Sequence, residues 1–128
     1  MKKLIAAAAL ALAGTAAAAD PIEGIWQTIP DDNGNFGFVQ VAPCGANYCG
    51  SLIRAFDGAG NEIGSPNVGR QIIIDTSSDG NGAYSGQIYS PDRGRTYSSR
   101  LRLSGDSLSV SGCVLGICRD GGTWRRVQ

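Results

Sequence analysis

From residue 24 onward the apolar positions fall in short runs separated by clusters of Gly, Asn, Asp, Pro and Ser, and no stretch keeps helical spacing for three turns. Runs of this length, rich in β-branched and aromatic residues, predict β-strands. Eight are legible: Gly24–Ile29, Phe36–Ala42, Gly50–Phe56, Arg70–Thr76, Ala83–Tyr89, Arg95–Leu103, Ser107–Gly112 and Gly122–Val127. The fourth contains Ile72-Ile73-Ile74, which is apolar on both faces. The turn clusters between them include Pro30 to Asn35, Ser77 to Gly82, Ser90 to Gly94 and Ser104-Gly105-Asp106, with one long Gly- and Asn-rich loop from Asp57 to Gly69.

All but one of these connections are short, which makes sequential strands antiparallel. Eight antiparallel strands tend to close on themselves, because closure removes exposed edges. The expected fold is therefore all-β, a small eight-stranded antiparallel up-and-down barrel, with a Greek-key sandwich of the same strands as the alternative. In up-and-down order the loops after strands two and seven lie at opposite ends. The same order brings Trp26, near the start of strand one, to the end where strand eight finishes with Trp124-Arg125-Arg126. Arg126 shares the strand parity of Trp124, which makes it the expected cationic lid over the Trp26 indole. Gly24, two residues ahead of Trp26, belongs to the same structural group.

The first residues do not fit this pattern. Met1-Lys2-Lys3, the apolar run Leu4 to Ala13, then Gly14 and Ala17-Ala18-Ala19 read as a secretory leader cleaved after Ala19. The apolar run is shorter than the roughly 20 residues that span hydrocarbon. Residues 20–128 then make a single domain expected to be periplasmic or secreted, without a transmembrane segment. The leader lacks a cysteine at the cleavage site, so no lipid anchor is expected by that route.

Removing the leader removes both lysines and leaves nine arginines against eleven acids. The balance is wrong for a nucleic-acid partner. Charge is lopsided along the chain, with eight acids and two arginines between Asp20 and Gly80 and three acids and seven arginines after it. Four cysteines occur at two equal spacings, Cys44 with Cys49 and Cys113 with Cys118. In an oxidising compartment these read as two local disulfides, each contributing about 2 kcal/mol through lost unfolded-state freedom. A bridge between the two clusters is excluded if they sit at opposite ends of a barrel. A redox dithiol or zinc site is the alternative, but neither cluster precedes a helical pattern and the chain has no His.

Candidate chemistry gathers at one end. The loops after strands one, three, five and seven would form a mouth opposite Trp26, where Tyr89, Asp92, Arg93, Arg95 and Tyr97 concentrate two phenols, a carboxylate and two guanidinium groups. Such a set can hold an anionic or sugar-like ligand. It also makes an ordinary hairpin, with Pro91 presetting φ and Gly94 supplying a positive φ. Asp57, Glu62, Arg70 and Arg119 are further mouth residues, and Asp75 could be a buried carboxylate ending its strand. With strands this short, the interior is expected to fill with side chains. Without His there is no Ser-His or Cys-His pair, and no carboxylate pair is placed by spacing. No catalytic residue, metal ligand or cofactor is assigned. Two functions of different classes are open: a binding module for a small ligand at the mouth, or a cell-envelope protein that contacts another protein through an exposed apolar patch around Phe36, Phe38 or Tyr48.

Several of these motifs resemble known proteins. Gly24-Ile25-Trp26 with a late arginine resembles the closed-end signature of lipocalin-like, or calycin, barrels. Cys44-Gly45 ahead of Cys49-Gly50, Gly86-Gln87-Ile88-Tyr89-Ser90-Pro91, Gly94 with Tyr97, Gly112-Cys113, and Trp124 with Arg126 are similar to the exported bacterial family catalogued as domain of unknown function 2147. The resemblance covers nearly all of residues 20–128 and implies a lipocalin-like barrel. It transfers no activity and no catalytic residues. Ser90 stands where the family leads one to expect Asp or Asn, and Arg95 where Lys is usual.

Overall fold

The computed structural model describes residues 19–128, so the expected leader lies outside the described residues apart from Ala19. The described chain forms strands β1 (Gly24–Gln27), β2 (Phe36–Cys44), β3 (Asn47–Phe56), β4 (Glu62–Ile63), β5 (Gln71–Gly80), β6 (Ala83–Ser90), β7 (Arg95–Ser104), β8 (Ser107–Val114) and β9 (Ile117–Arg126). The two-residue β4 pairs only along β3, Ala55 opposite Ile63 and Phe56 opposite Glu62. The other eight strands pair antiparallel in the order β2-β1-β9-β8-β7-β6-β5-β3, and β2 pairs with β3 to close the ring. This is an up-and-down barrel, and the Greek-key alternative is excluded. No helix among the described residues is long and apolar enough to cross a membrane.

The strands are longer than the apolar runs predict. β3, β5 and β9 each have ten residues where six or seven are expected from the runs. Three extra residues add about 10 Å of height at about 3.3 Å per residue. In β3 and β9 the cause is that the cysteines lie within strands and the chain reverses in two residues, Gly45-Ala46 and Leu115-Gly116, and in β5 it is that Ser77 to Gly80 pairs with β6. Gly45, Leu115 and Gly116 all have positive φ, as tight hairpin turns require. Asn81-Gly82 reverses β5 into β6 in the same way, with φ of 57° and 81°. The pairs Cys44–Cys49 and Cys113–Cys118 are bonded. Each staples a hairpin, one at either end of the barrel. Asp75 is exposed rather than buried: at φ 44° it forms a bulge in β5 and accepts a hydrogen bond from Asn47 Nδ2 at 2.7 Å.

Inward positions alternate along the strands, as in Val39 and Val41 of β2 or Leu108 and Val110 of β8, all buried. One end is sealed. Trp26 has no exposed surface, and its Nε1–H donates to the Ile22 carbonyl at 2.9 Å. The Arg126 guanidinium carbon lies 4.4 Å from the Trp26 ring centroid. The same guanidinium donates to the carbonyls of Pro21 and Glu23 and pairs with Asp106 at 3.0 Å. One side chain thus ties the N-terminal segment, the last strand and the β7–β8 turn across the indole. Gly24 is required beneath it, because a Cβ there would meet Gln128 O at 2.5 Å and Arg126 at 2.7 Å, at a φ of +137°.

Beside this clamp, Tyr84 is buried and donates its hydroxyl to Asp20, which also accepts the Ile22 N–H at 2.9 Å. Burial, then the Asp20 carboxylate, pushes the Tyr84 phenol far above its ordinary value, and the same causes raise Tyr48. A raised folded-state value gives stability that is complete below the unfolded value of about 10 and is lost as pH rises above it. Alkaline unfolding, followed by circular dichroism, should therefore set in above about pH 10 and be blunted in Tyr84→Phe. An alkaline limb unchanged in that variant contradicts this assignment.

Candidate functional site

The opposite end is open. Above the level of Trp124, Val39, Val110 and Leu52 the barrel holds a cavity of ≈ 870 Å³ that reaches solvent through the mouth. The expectation of a filled interior is corrected: packing is complete only in the lower half. The added residues of β8 and β9 raise the rim, whereas those of β3 and β5 extend the sealed end, and the inward positions near the mouth are held by Gly37, Ala55 and Gly112, which carry little or no side chain. The walls are otherwise apolar, with Ile72, Ile88 and Tyr97 among them. A second depression of ≈ 970 Å³ runs along the outside of β6, β7 and β8, but it is a groove over Ser85, Ser98, Arg100, Arg102 and Ser111 rather than an enclosure.

The four loops expected at the mouth are there, and Tyr89, Asp92, Arg93, Arg95 and Tyr97 all border the cavity. The β6–β7 hairpin positions them: Ser90 pairs with Arg95 and Ile88 with Tyr97, while Gly94, at φ 62°, returns its N–H to the Ser90 carbonyl at 2.8 Å. Arg119, from β9 opposite Gly112, is a third guanidinium at the rim. The remaining mouth residues do other work. Asp57 accepts the N–H groups of Ala59 and Asn61, each at 2.9 Å, and the Asn61 hydrogen bond foremost holds its carboxyl below the usual range. Glu62 faces Arg54 at 4.0 Å, and Arg70 lies 4.2 Å from the Tyr89 ring centroid.

Two placements differ from expectation. Trp124, assigned from the sequence to the closed-end architecture, lines the inner part of the cavity while Arg126 two residues on covers Trp26. The apolar patch expected around Phe36, Phe38 and Tyr48 is not exposed. Phe36 stacks on Phe56 with centroids 5.0 Å apart, Phe38 tilts against the same ring at 4.7 Å, and all three rings are half-buried, as is Tyr48. The exposed large apolar residues are elsewhere, with Val114, Leu115 and Ile117 at the tip of the β8–β9 hairpin. The small inward residues Gly37 and Gly112 were the missed signal. Each sits two positions from a buried valine on the same strand, so each faces the interior.

A closed eight-stranded meander, sealed by a tryptophan under an arginine and open to an internal cavity, defines a lipocalin-like barrel. Its fold is similar to that of protein HP1028 from the human pathogen Helicobacter pylori, described as belonging to the lipocalin family, with a TM-score of 0.64 and 20% sequence identity. The likeness covers 87% of this chain and 85% of that one. The family model described as "Uncharacterized protein conserved in bacteria", domain of unknown function 2147, matches residues 24–126, and the chain belongs to that family. The matched span begins at Gly24 and ends at Arg126, the two residues that meet at the sealed end. No curated protein matches the chain.

Proposed function

We propose that this protein is an exported binding module that takes a small ligand into the open half of the barrel, apolar body inward and anionic or polar head at the rim. The carrying observation is the ≈ 870 Å³ cavity with apolar walls and Arg93, Arg95 and Arg119 at its opening. Small-molecule sites are commonly concave, mostly apolar and about 300–1,000 Å³ in volume, with a few placed polar groups for orientation. The rim guanidiniums can grip a carboxylate, sulfate or phosphate in two parallel hydrogen bonds, while Tyr97 supplies a ring below them. Export agrees with the leader-like first residues and with two disulfides, which persist in oxidising compartments.

Two measurements test this. Native mass spectrometry of the purified protein should show a co-purifying small molecule, and a fluorescent fatty-acid analogue with a free carboxylate should bind and raise the melting temperature. Removing both rim arginines, Arg93→Ala with Arg95→Ala, should weaken the analogue about 10- to 100-fold, since a hydrogen bond to a charged group is worth about 1.5–3 kcal/mol. Tyr97→Ala should also abolish the thermal shift. A barrel that purifies empty and shows no thermal response to the analogue removes the binding reading.

A further inference from the structure

The β8–β9 hairpin breaks two local rules at once. Its turn residues, Leu115 and Gly116, both have positive φ, 52° and 81°, a turn that selects Asn, Asp or Gly. Leucine occupies the first position nonetheless. Solvent-exposed tips select polar residues, yet Leu115 is 97% exposed, Ile117 71% and Val114 53%. The Cys113–Cys118 disulfide lies directly below them, across a paired register position, so the three side chains stand on a stiff support. The three form an apolar lip, and Ile29, also exposed, packs further down β9, where Gly122 has no side chain.

The surrounding charge says what the lip meets. Arg95, at the start of β7, reaches the height of the tip in the β7–β8 register, with Arg93 before it and Arg119 in β9. Asp92 and Asp120 are the acids on this side. On the tip's other flank, next to β9 in the ring, the β1–β2 connection carries Asp31 and Asp32, and opposite the tip the segment between β3 and β5 carries Asp57 and Glu62, the latter facing Arg54. The imbalance along the chain therefore becomes a rim that is basic from the apolar tip through its β7 flank and acidic from its β1 flank round to the β3–β5 connection. A few apolar side chains on a narrow tip are too little area for a stable protein interface, which buries about 800 Å² per partner. A bilayer needs no matching surface: it accepts apolar side chains at the headgroup boundary and is drawn to nearby arginines when its lipids are anionic.

We infer that the stapled β8–β9 tip docks this protein onto an anionic lipid bilayer, with Val114, Leu115 and Ile117 entering the interface and Arg93, Arg95 and Arg119 meeting the headgroups. The acidic side of the mouth is then held off the surface, leaving the cavity tilted toward the lipid. The rim arginines are shared with the proposed ligand site, so the tip variant, which leaves all three in place, is the arm that separates docking from ligand binding.

Purified protein is sedimented with vesicles of phosphatidylglycerol and phosphatidylethanolamine, and in parallel with phosphatidylcholine alone. Binding to the anionic vesicles is expected, weakening as salt is added and absent from phosphatidylcholine. Leu115→Asn with Ile117→Thr should lower partitioning at least tenfold while the melting temperature holds or rises, because Asn suits the turn better than Leu. A tip that matters only for folding would lose melting temperature instead. Arg95→Gln should weaken partitioning about fivefold, and Arg125→Gln, at the sealed end, should leave it unchanged. Protein that stays in the supernatant overturns the proposal, as does a tip variant that sediments like the wild type or equal binding to phosphatidylcholine. A dimer in sedimentation velocity that the tip variant dissociates, without vesicle binding, makes the lip a protein surface and likewise overturns it.

Discussion

Truncating Trp26 to alanine will destabilise the barrel by about 3–5 kcal/mol, a loss comparable with the whole stability of a domain this size. The ring is fully buried, and its removal leaves a hole beneath a cation rather than one that neighbours can fill. Arg126→Met separates the two parts of this effect. Methionine keeps apolar cover over the indole but strips the donors from the Pro21 and Glu23 carbonyls and breaks the pair with Asp106. Asp106 is largely exposed, so its pairing with Arg126 contributes little. The cost, about 2–3 kcal/mol, comes mainly from the partly buried Glu23 carbonyl left without a donor and the lost cation-π contact. A double-mutant cycle with Trp26→Phe, read by urea unfolding, should give a coupling of about 0.5–2 kcal/mol. An Arg126→Met variant as stable as the wild type would show that the clamp closes the barrel without holding it.

Gly86→Ala will cost about 3 kcal/mol or more, at or beyond the upper end of overpacking, although it adds one methyl group. A Cβ at Gly86 would stand 2.5 Å from Thr76 Oγ1, 2.7 Å from Thr76 Cα and 2.8 Å from Asp75 O. Two of these three are backbone atoms, and rotating a side chain cannot clear them. They are that close because the Asp75 bulge shifts the β5–β6 register between Ile74 and Ser77 and presses β5 toward β6. Gly105→Ala is the control: nothing lies within 4 Å of its Cβ, and only its φ of 57° opposes the substitution. That change should cost about 1 kcal/mol. Thermal melts of the two variants should therefore differ clearly. Similar melts would mean that the bulge yields to the methyl group.

These contacts mark where a linear reading reaches its limit. Gly86 lies within a motif that resembles the family, but nothing along the chain says it faces Thr76, because that proximity depends on a bulge nine or more residues away. The strand lengths show the same boundary. Asn81-Gly82 is a strong hairpin signal, yet the cluster Ser77 to Gly82 reads as a loop because Ser and Asp are poor strand formers. Pairing with β6 overrides that preference, as the register from Ser77 opposite Ser85 to Gly80 opposite Ala83 shows. Likewise Cys44, next to the turn glycine Gly45, and Cys113, just past an apolar run, look like loop residues, whereas the ladders run through both.

The alternation of apolar residues and the turn clusters between them were enough to determine eight strands, their antiparallel order, the end to which each loop goes and the local pairing of the cysteines. All of these depend on near neighbours in the chain and on a topology that short loops leave little freedom to vary. The open cavity, the passage of Trp124 into its wall and the apolar tip beside basic residues were decided only in three dimensions. Whether an interior is full depends on which inward side chains share a level across eight strands, and at the mouth Gly37, Ala55 and Gly112 share it from three of them.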